Sequence, residues 1–201
     1  MAALPQPRLT DEQYLTIERD AMDKSEFYDG QMYAMSGASF IHGRIVGNLT
    51  VALYAALRNG PCSAIPGDLR IRVAPGGLYT DPDVVVVCGE PRFADDQKDT
   101  LLNPLLLIEV LSRSTEGHDR GFKSSQYRLL TSLEEYALVW QTEPHVEVFR
   151  LQKGSGWLLT EYVGLEAQCR FESTACTLAL SDIYARVTFA EPATPRATGS
   201  L

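Results

Sequence analysis

Long apolar runs are missing from this 201-residue chain. A membrane-crossing helix needs about 18 consecutive apolar residues, and the strongest candidates, 105–111 and 84–88, have only strand length. The opening MAALPQPRLTDEQ lacks a basic segment leading into an apolar stretch, so no secretory signal is expected. Cysteine is sparse. The four, at 62, 88, 169 and 176, form no C-x-x-C, and no histidine lies at zinc-ligand spacing from a cysteine pair. This argues against a structural zinc site and leaves reduced, mostly buried thiols as the expectation. There is no G-x-S-x-G, no P-loop and no strand-linked G-x-G-x-x-G, so the signatures of serine hydrolases and nucleotide-binding folds are absent. No internal repeat is visible. These absences fit a cytoplasmic globular protein with no membrane partner.

Basic charge is also short. Eighteen Lys and Arg face 26 Asp and Glu, a formal charge of −8. Such a chain does not coat nucleic acid by bulk electrostatics. Any nucleic-acid contact needs a local basic patch, with divalent cations screening the acids. The length suits one domain, expected over 10–189, with a flexible arm at 1–9 and a disordered tail at 190–201.

Thr10-Asp11-Glu12-Gln13 has the form of a capping box and predicts a short helix to about Asp20. Asp29-Gly30 between alternating segments predicts a hairpin of strands 25–28 and 31–35. Ile41, Ile45, Leu49, Leu53 and Leu57 recur every four residues, which predicts a helix over 39–59, stopped by Asn59-Gly60-Pro61. Strands are expected at 62–66, 69–74, 83–88 and 105–111, with a polar connection at 89–103. A helix over 116–130 follows, then strands at 136–141, 145–151 and 157–163 and a short helix at 181–186. Helices flanking a mixed sheet make an α/β (α+β) sandwich.

Three segments carry more than folding requires. In TDPDVVVVCG, Asp83 leads a buried strand, and Asp81 shares its face if the strand extends back past Pro82. In NPLLLIEVLSRST, residues 105, 107, 109 and 111 share one face with period two, and Glu109 is embedded in it. A carboxylate there is costly to bury unless it is paired or metal-bound. In EGHDRGFKSSQYRLL, Asp119, Lys123 and Tyr127 are spaced i, i+4, i+8 on one helical face. The chain has only four lysines against 14 arginines, so a lysine here is less of a default surface choice. Arg113, Arg120 and Arg128 give the best local positive patch for nucleic acid. Two carboxylates at the ends of adjacent buried strands can hold Mg²⁺, a hard cation that binds through one or two carboxylates and keeps several waters. Such a metal acidifies a bound water and neutralises charge on a phosphate. A nearby lysine can orient or help deprotonate that water, or stabilise developing charge.

The order Asp83, Glu109, lysine resembles the PD-(D/E)XK nuclease superfamily. More narrowly, DGQMYAMSGAS..H, TDPDVVVVCG, LLLIEVLSRSTEGHDRGFKSSQYR and SLEEYALV resemble the bacterial Uma-two family, described as restriction endonucleases. The resemblance spans residues 8–188. It implies a restriction-endonuclease-like core, a central mixed sheet flanked by helices. It also implies a metal at Asp83 and Glu109, with the backbone carbonyl of Val110 as third ligand. Mg²⁺ is the expected cofactor, with Mn²⁺ able to substitute, and DNA the expected substrate. A homodimer would address both strands of a duplex. The superfamily places its lysine two residues after the acid, where this chain has Leu111; the Uma-like pattern brings in Lys123 instead. Glu26, His42, Asp68, Asp119 and Tyr127 are candidates for supporting roles around the metal. His118 and His145 read as surface residues. The alternative is a nuclease-like module that binds nucleic acid or protein without cutting.

Overall fold

A computed structural model describes residues 8–35, 37–112 and 114–189. The chain opens with α1 (Asp11–Asp20), whose Thr10 hydroxyl accepts from the Gln13 amide at 3.2 Å. The Gln13 side chain accepts from the Thr10 amide at 2.9 Å. The expected capping box is therefore closed on both sides. The hairpin of β1 (Ser25–Tyr28) and β2 (Gln31–Ala34) turns through Asp29 and Gly30, both left-handed at φ 49° and 78°. Of the expected flexible arm, residues 8 and 9 are tied to this turn. Arg8 pairs with Asp29, and the Leu9 amide donates to the Gly30 carbonyl at 2.9 Å. The rest of the arm, 1–7, and the expected tail, 190–201, lie outside the described residues.

Helix α2 (Phe40–Leu57) starts where the Ser39 hydroxyl accepts from the His42 amide. It buries Ile45, Leu49, Leu53 and Leu57 on the sheet, while Ile41 stays exposed. Among the described residues, α2 is long and apolar enough to cross a membrane by length and composition alone. It is not an unbroken apolar run, because His42, Arg44, Asn48 and Thr50 interrupt it. One face packs in the core, and the other exposes Phe40, Val51 and Tyr54.

The next strands are β3 (Cys62–Pro66), β4 (Arg70–Arg72), β5 (Tyr79–Thr80), β6 (Val84–Cys88), β7 (Thr100–Leu101) and β8 (Leu106–Leu111). Two-residue β5 and β7 are additions to the expected order, and β7 falls inside the expected connection. They pair on the two sides of β4, where Ile71 stands opposite Thr80 on one side and Leu101 on the other. The segment 116–127 runs as α3 (Glu116–His118), a π-helical turn (Asp119–Lys123) and α4 (Ser124–Tyr127). Then come β9 (Glu135–Trp140), β10 (His145–Gln152), β11 (Gly156–Val163), β12 (Gln168–Phe171), β13 (Cys176–Ala179) and α5 (Leu180–Ile183). The β12–β13 hairpin was not expected.

A six-stranded mixed sheet has the order β11-β10-β9-β8-β6-β3, and a five-stranded sheet the order β2-β1-β5-β4-β7. Every residue of β8 is buried, because both faces of the larger sheet are covered. Val84, Val86, Leu106, Ile108 and Val110 face α2, the β12–β13 hairpin and α5. Val85, Val87, Leu107 and Leu111 face Tyr127, Leu130 and Ile71 on the other side. The expected α+β sandwich with a central mixed sheet flanked by helices is the observed architecture.

The thiol expectation needs correction. Cys62 and Cys88 face each other in the β3–β6 register and are joined as a disulfide, while Cys169 and Cys176 are free and buried. Pairing could not be read from a spacing of 26 residues, because it depends on strand register. Thiol titration of unfolded, unreduced protein should find two free thiols among the four cysteines. Four would mean that the pair is kept reduced, as is usual in a reducing cytosol.

Candidate active site

β6 and β8 are antiparallel, with Val84 opposite Ile108 and Val85 opposite Leu107. Carrying that register back one step sets Asp83 opposite Glu109. By alternation both carboxylates fall on the sheet face of Val85 and Leu107. Asp83 is locked there: its Oδ2 accepts from the Val110 amide at 2.7 Å and lies 3.1 Å from His42 Nε2. Glu109 is locked by Tyr127, whose hydroxyl donates to Oε1 at 2.6 Å. Each carboxylate is thus fixed through one oxygen. Among the described residues, no hydrogen bond takes Asp83 Oδ1 or Glu109 Oε2.

Lys123 closes the group from the π-helical turn. Its Nζ lies 2.9 Å from Glu26, 3.2 Å from Glu109 and 3.4 Å from Asp119. The i, i+4, i+8 row of Asp119, Lys123 and Tyr127 therefore meets around Glu109. Leu111 packs in the apolar core beside Tyr127, so the ammonium at this carboxylate comes from Lys123. Glu26 is held by Thr80 at 2.7 Å and by His118 at 2.9 Å. His118 is exposed, as expected of a surface residue, and it also lines the site. The hairpin brings Glu26 within reach of its Nε2, a contact across 92 residues that no local signal announces.

These groups line a cavity of about 530 Å³. Five carboxylates line it (Glu26, Asp81, Asp83, Glu109, Asp119), against one lysine and the histidines His42 and His118. The titration shifts follow from that imbalance. Burial pushes the Glu109 carboxyl up to about 8; Lys123 opposes this, and Asp83 and Asp119 reinforce it. Burial works against the Lys123 charge, but Glu109, Glu26 and Asp119 outweigh it and hold the ammonium well above its ordinary value. Burial also opposes the charge on His42, but Asp83 wins and raises it. Desolvation raises Asp81, while at Glu26 the Lys123 charge overcomes burial and lowers it.

An oxygen-rich, over-acidic cavity fits a hard divalent cation. Two observations support the fit: the free oxygens on Asp83 and Glu109, and the buried Asp81 Oδ2, which has no hydrogen-bond partner. Among the described residues, the group of three whose ligand atoms all lie within 4.8 Å of one another is a different one: His145, Glu147 and Glu161. There, however, Arg120 already grips both oxygens of Glu147, at 2.6 and 2.9 Å. His145 is not a surface residue: it stacks on Trp140 with centroids 4.9 Å apart and is largely buried.

Other expected residues lie elsewhere. Asp68 is 92% exposed and outside the cavity; it reaches the site only through Lys24, which it shares with cavity-lining Asp81. Arg120 is committed to Glu147 and Glu116 and lies over the Trp140 ring. Arg128 lies over Phe149 and Trp157. Neither lines the cavity: Arg120 is spent on acids of α3 and β10 and a ring of β9, and Arg128 on rings of β10 and β11. Arg113 lies outside the described residues. Gln141 was missed. It lines the cavity, accepts from the Ser39 hydroxyl at 3.0 Å and donates to the Leu111 carbonyl at 2.8 Å. Its position just past the end of β9 is its only signal in the sequence.

The chain is 36% identical over 163 residues to the Synechocystis sp. protein sll1609, covering 81% of this chain and 92% of that one. It is 35% identical over 187 residues to slr1290 of the same organism, covering 92% and 96%. Its fold is similar to the crystal structure of a "putative nuclease belonging to DUF820" from Anabaena variabilis. The TM-score is 0.68, with 18% identity, over 88% of this chain and 97% of that one. Residues 11–181, which hold every carboxylate of the cavity and the lysine among them, match the model of the Uma2 family, described as "Putative restriction endonuclease". This chain belongs to the Uma2 family.

Proposed function

We propose that this protein is a Mg²⁺-dependent endonuclease that hydrolyses phosphodiester bonds in DNA, with Mn²⁺ able to substitute. The observation that carries the reading is the pair Asp83 and Glu109, fixed opposite each other on adjacent buried strands with Lys123 at the second carboxylate. Asp83, Glu109 and the Val110 carbonyl would hold the cation, which when bound supplies an acidified water and a counter-charge for phosphate.

The protein's own groups divide the remaining work. The Val110 amide and His42 orient Asp83, and Tyr127 orients Glu109. Lys123, held as an ammonium by three carboxylates, suits charge stabilisation at the phosphate and positioning of the water. Family membership supports nucleic acid as the substrate, and a homodimer would let two sites address the two strands of a duplex.

Calorimetric titration of Mg²⁺ and Mn²⁺ into wild type and Glu109→Ala, beside a plasmid-nicking assay, tests the reading. Wild type should bind metal and nick, and the variant should do neither. Metal binding without nicking would favour a non-cutting module, and no metal binding would make Glu109 a structural acid.

A further inference from the structure

A second cavity, of about 230 Å³, opens beside the first and shares Glu26, Tyr33 and His118 with it. Its other lining residues are Tyr28, Leu78 and Phe122. Two elements build it. Glu26 and Tyr28 alternate onto one face of β1, and Tyr33 sits directly across from Glu26 on β2. Opposite them, His118 and Phe122 are spaced i, i+4, one residue out of step with the Asp119–Lys123 row that enters the first cavity. A single helical segment therefore feeds carboxylate and ammonium into one chamber and rings into the next.

The walls are aromatic but not sealed. His118 and Phe122 stack with centroids 5.2 Å apart, and Tyr28 meets Phe122 edge-on at 4.8 Å. Tyr33 leaves 49% of its surface exposed, with its hydroxyl on Gln31 at 3.0 Å. A ring serving only the core would not be left half in water at the mouth of a cavity. Aromatic side chains exposed in a groove bind nucleobases by stacking, and do so for any base.

Resting on the nuclease reading above, we propose that this slot receives an unstacked nucleobase of a single DNA strand whose phosphate lies at the Asp83–Glu109 site. The slot abuts that site through Glu26, so base and phosphate of one strand can occupy both chambers. The proposal also meets the charge problem. A chain of −8 with Arg120 and Arg128 committed elsewhere gains little from phosphate contacts, whereas stacking needs no positive surface. A base in a paired duplex must first be extruded, at a cost of a few kcal/mol. Single-stranded or frayed DNA is therefore the preferred substrate.

The test uses the full chain and a short single-stranded oligonucleotide carrying one 2-aminopurine, followed by anisotropy and by 2-aminopurine fluorescence, with the matching duplex alongside. Wild type should favour the single strand and change the 2-aminopurine signal. Tyr33→Ala should weaken binding by about 5- to 150-fold, the value of one base–aromatic stack, and abolish the signal. Tyr33→Phe, which keeps the ring, should restore both. Tyr33 is half exposed, so these variants should fold. DNA binding or cleavage with an unchanged 2-aminopurine signal and an unaffected Tyr33→Ala would overturn the slot and leave the nuclease standing. Neither binding nor cleavage of any DNA would overturn both.

Discussion

Asp83→Asn is expected to slow DNA cleavage by at least about 10²- to 10³-fold, the scale on which loss of one electrostatic group acts at a reacting centre, while the fold survives. The asparagine carbonyl can still accept the Val110 amide that Asp83 accepts at 2.7 Å, so the β6–β8 junction keeps its tie. What goes is the charge. A neutral amide holds a divalent cation poorly, and it no longer favours a protonated His42, whose pKa Asp83 raises. Cleavage rate and melting temperature measured on the same preparation separate the two effects. Asp68→Asn is the control, because that residue is exposed and outside the cavity, and it should cleave like wild type. Undiminished cleavage by Asp83→Asn would remove Asp83 from the reaction.

What the sequence reveals of this site depends on whether a residue breaks a local pattern. Glu109 stands out because a carboxylate interrupts six consecutive buried positions. Lys123 stands out through its spacing from Asp119 and Tyr127 in a chain of few lysines. The order of elements was legible for the same reason: α2 and the long strands carry their burial in their periodicity. Residues defined by a distant partner were not legible. Nothing near His118 announces Glu26, and nothing near Arg120 announces Glu147, 27 residues on. Arg120 therefore reads as a free cation when it is a paired one. The Cys62–Cys88 link and the short strands β5 and β7 belong to the same class, since pairing with another strand of their sheet fixes them and their own residues say little.

Lys123→Met should destabilise the metal-free protein by about 3–5 kcal/mol, the usual cost of removing one partner from a buried ionic group. For a chain of this size that is a fall in melting temperature of roughly 10 °C. Methionine keeps most of the apolar stem, so the loss isolates the ammonium that sits among Glu26, Glu109 and Asp119. The deficit should deepen with rising pH. The folded protein raises the Glu109 pKa from 4.5 to about 8, so it favours the protonated carboxyl. The stability from that preference is complete below about pH 4.5 and is lost as the pH climbs through 8. Without Lys123, only the Tyr127 hydroxyl is left to oppose burial at this carboxylate, and each ionised acid costs more. A divalent cation should return part of the loss, because it supplies positive charge to the same oxygens, yet cleavage should stay low, because the ammonium that faces the phosphate is gone. Thermal melts with and without Mg²⁺ across this pH range check each step. A variant as stable as wild type without metal, or one whose deficit no cation relieves, would mean that the carboxylates around Lys123 are neutralised some other way.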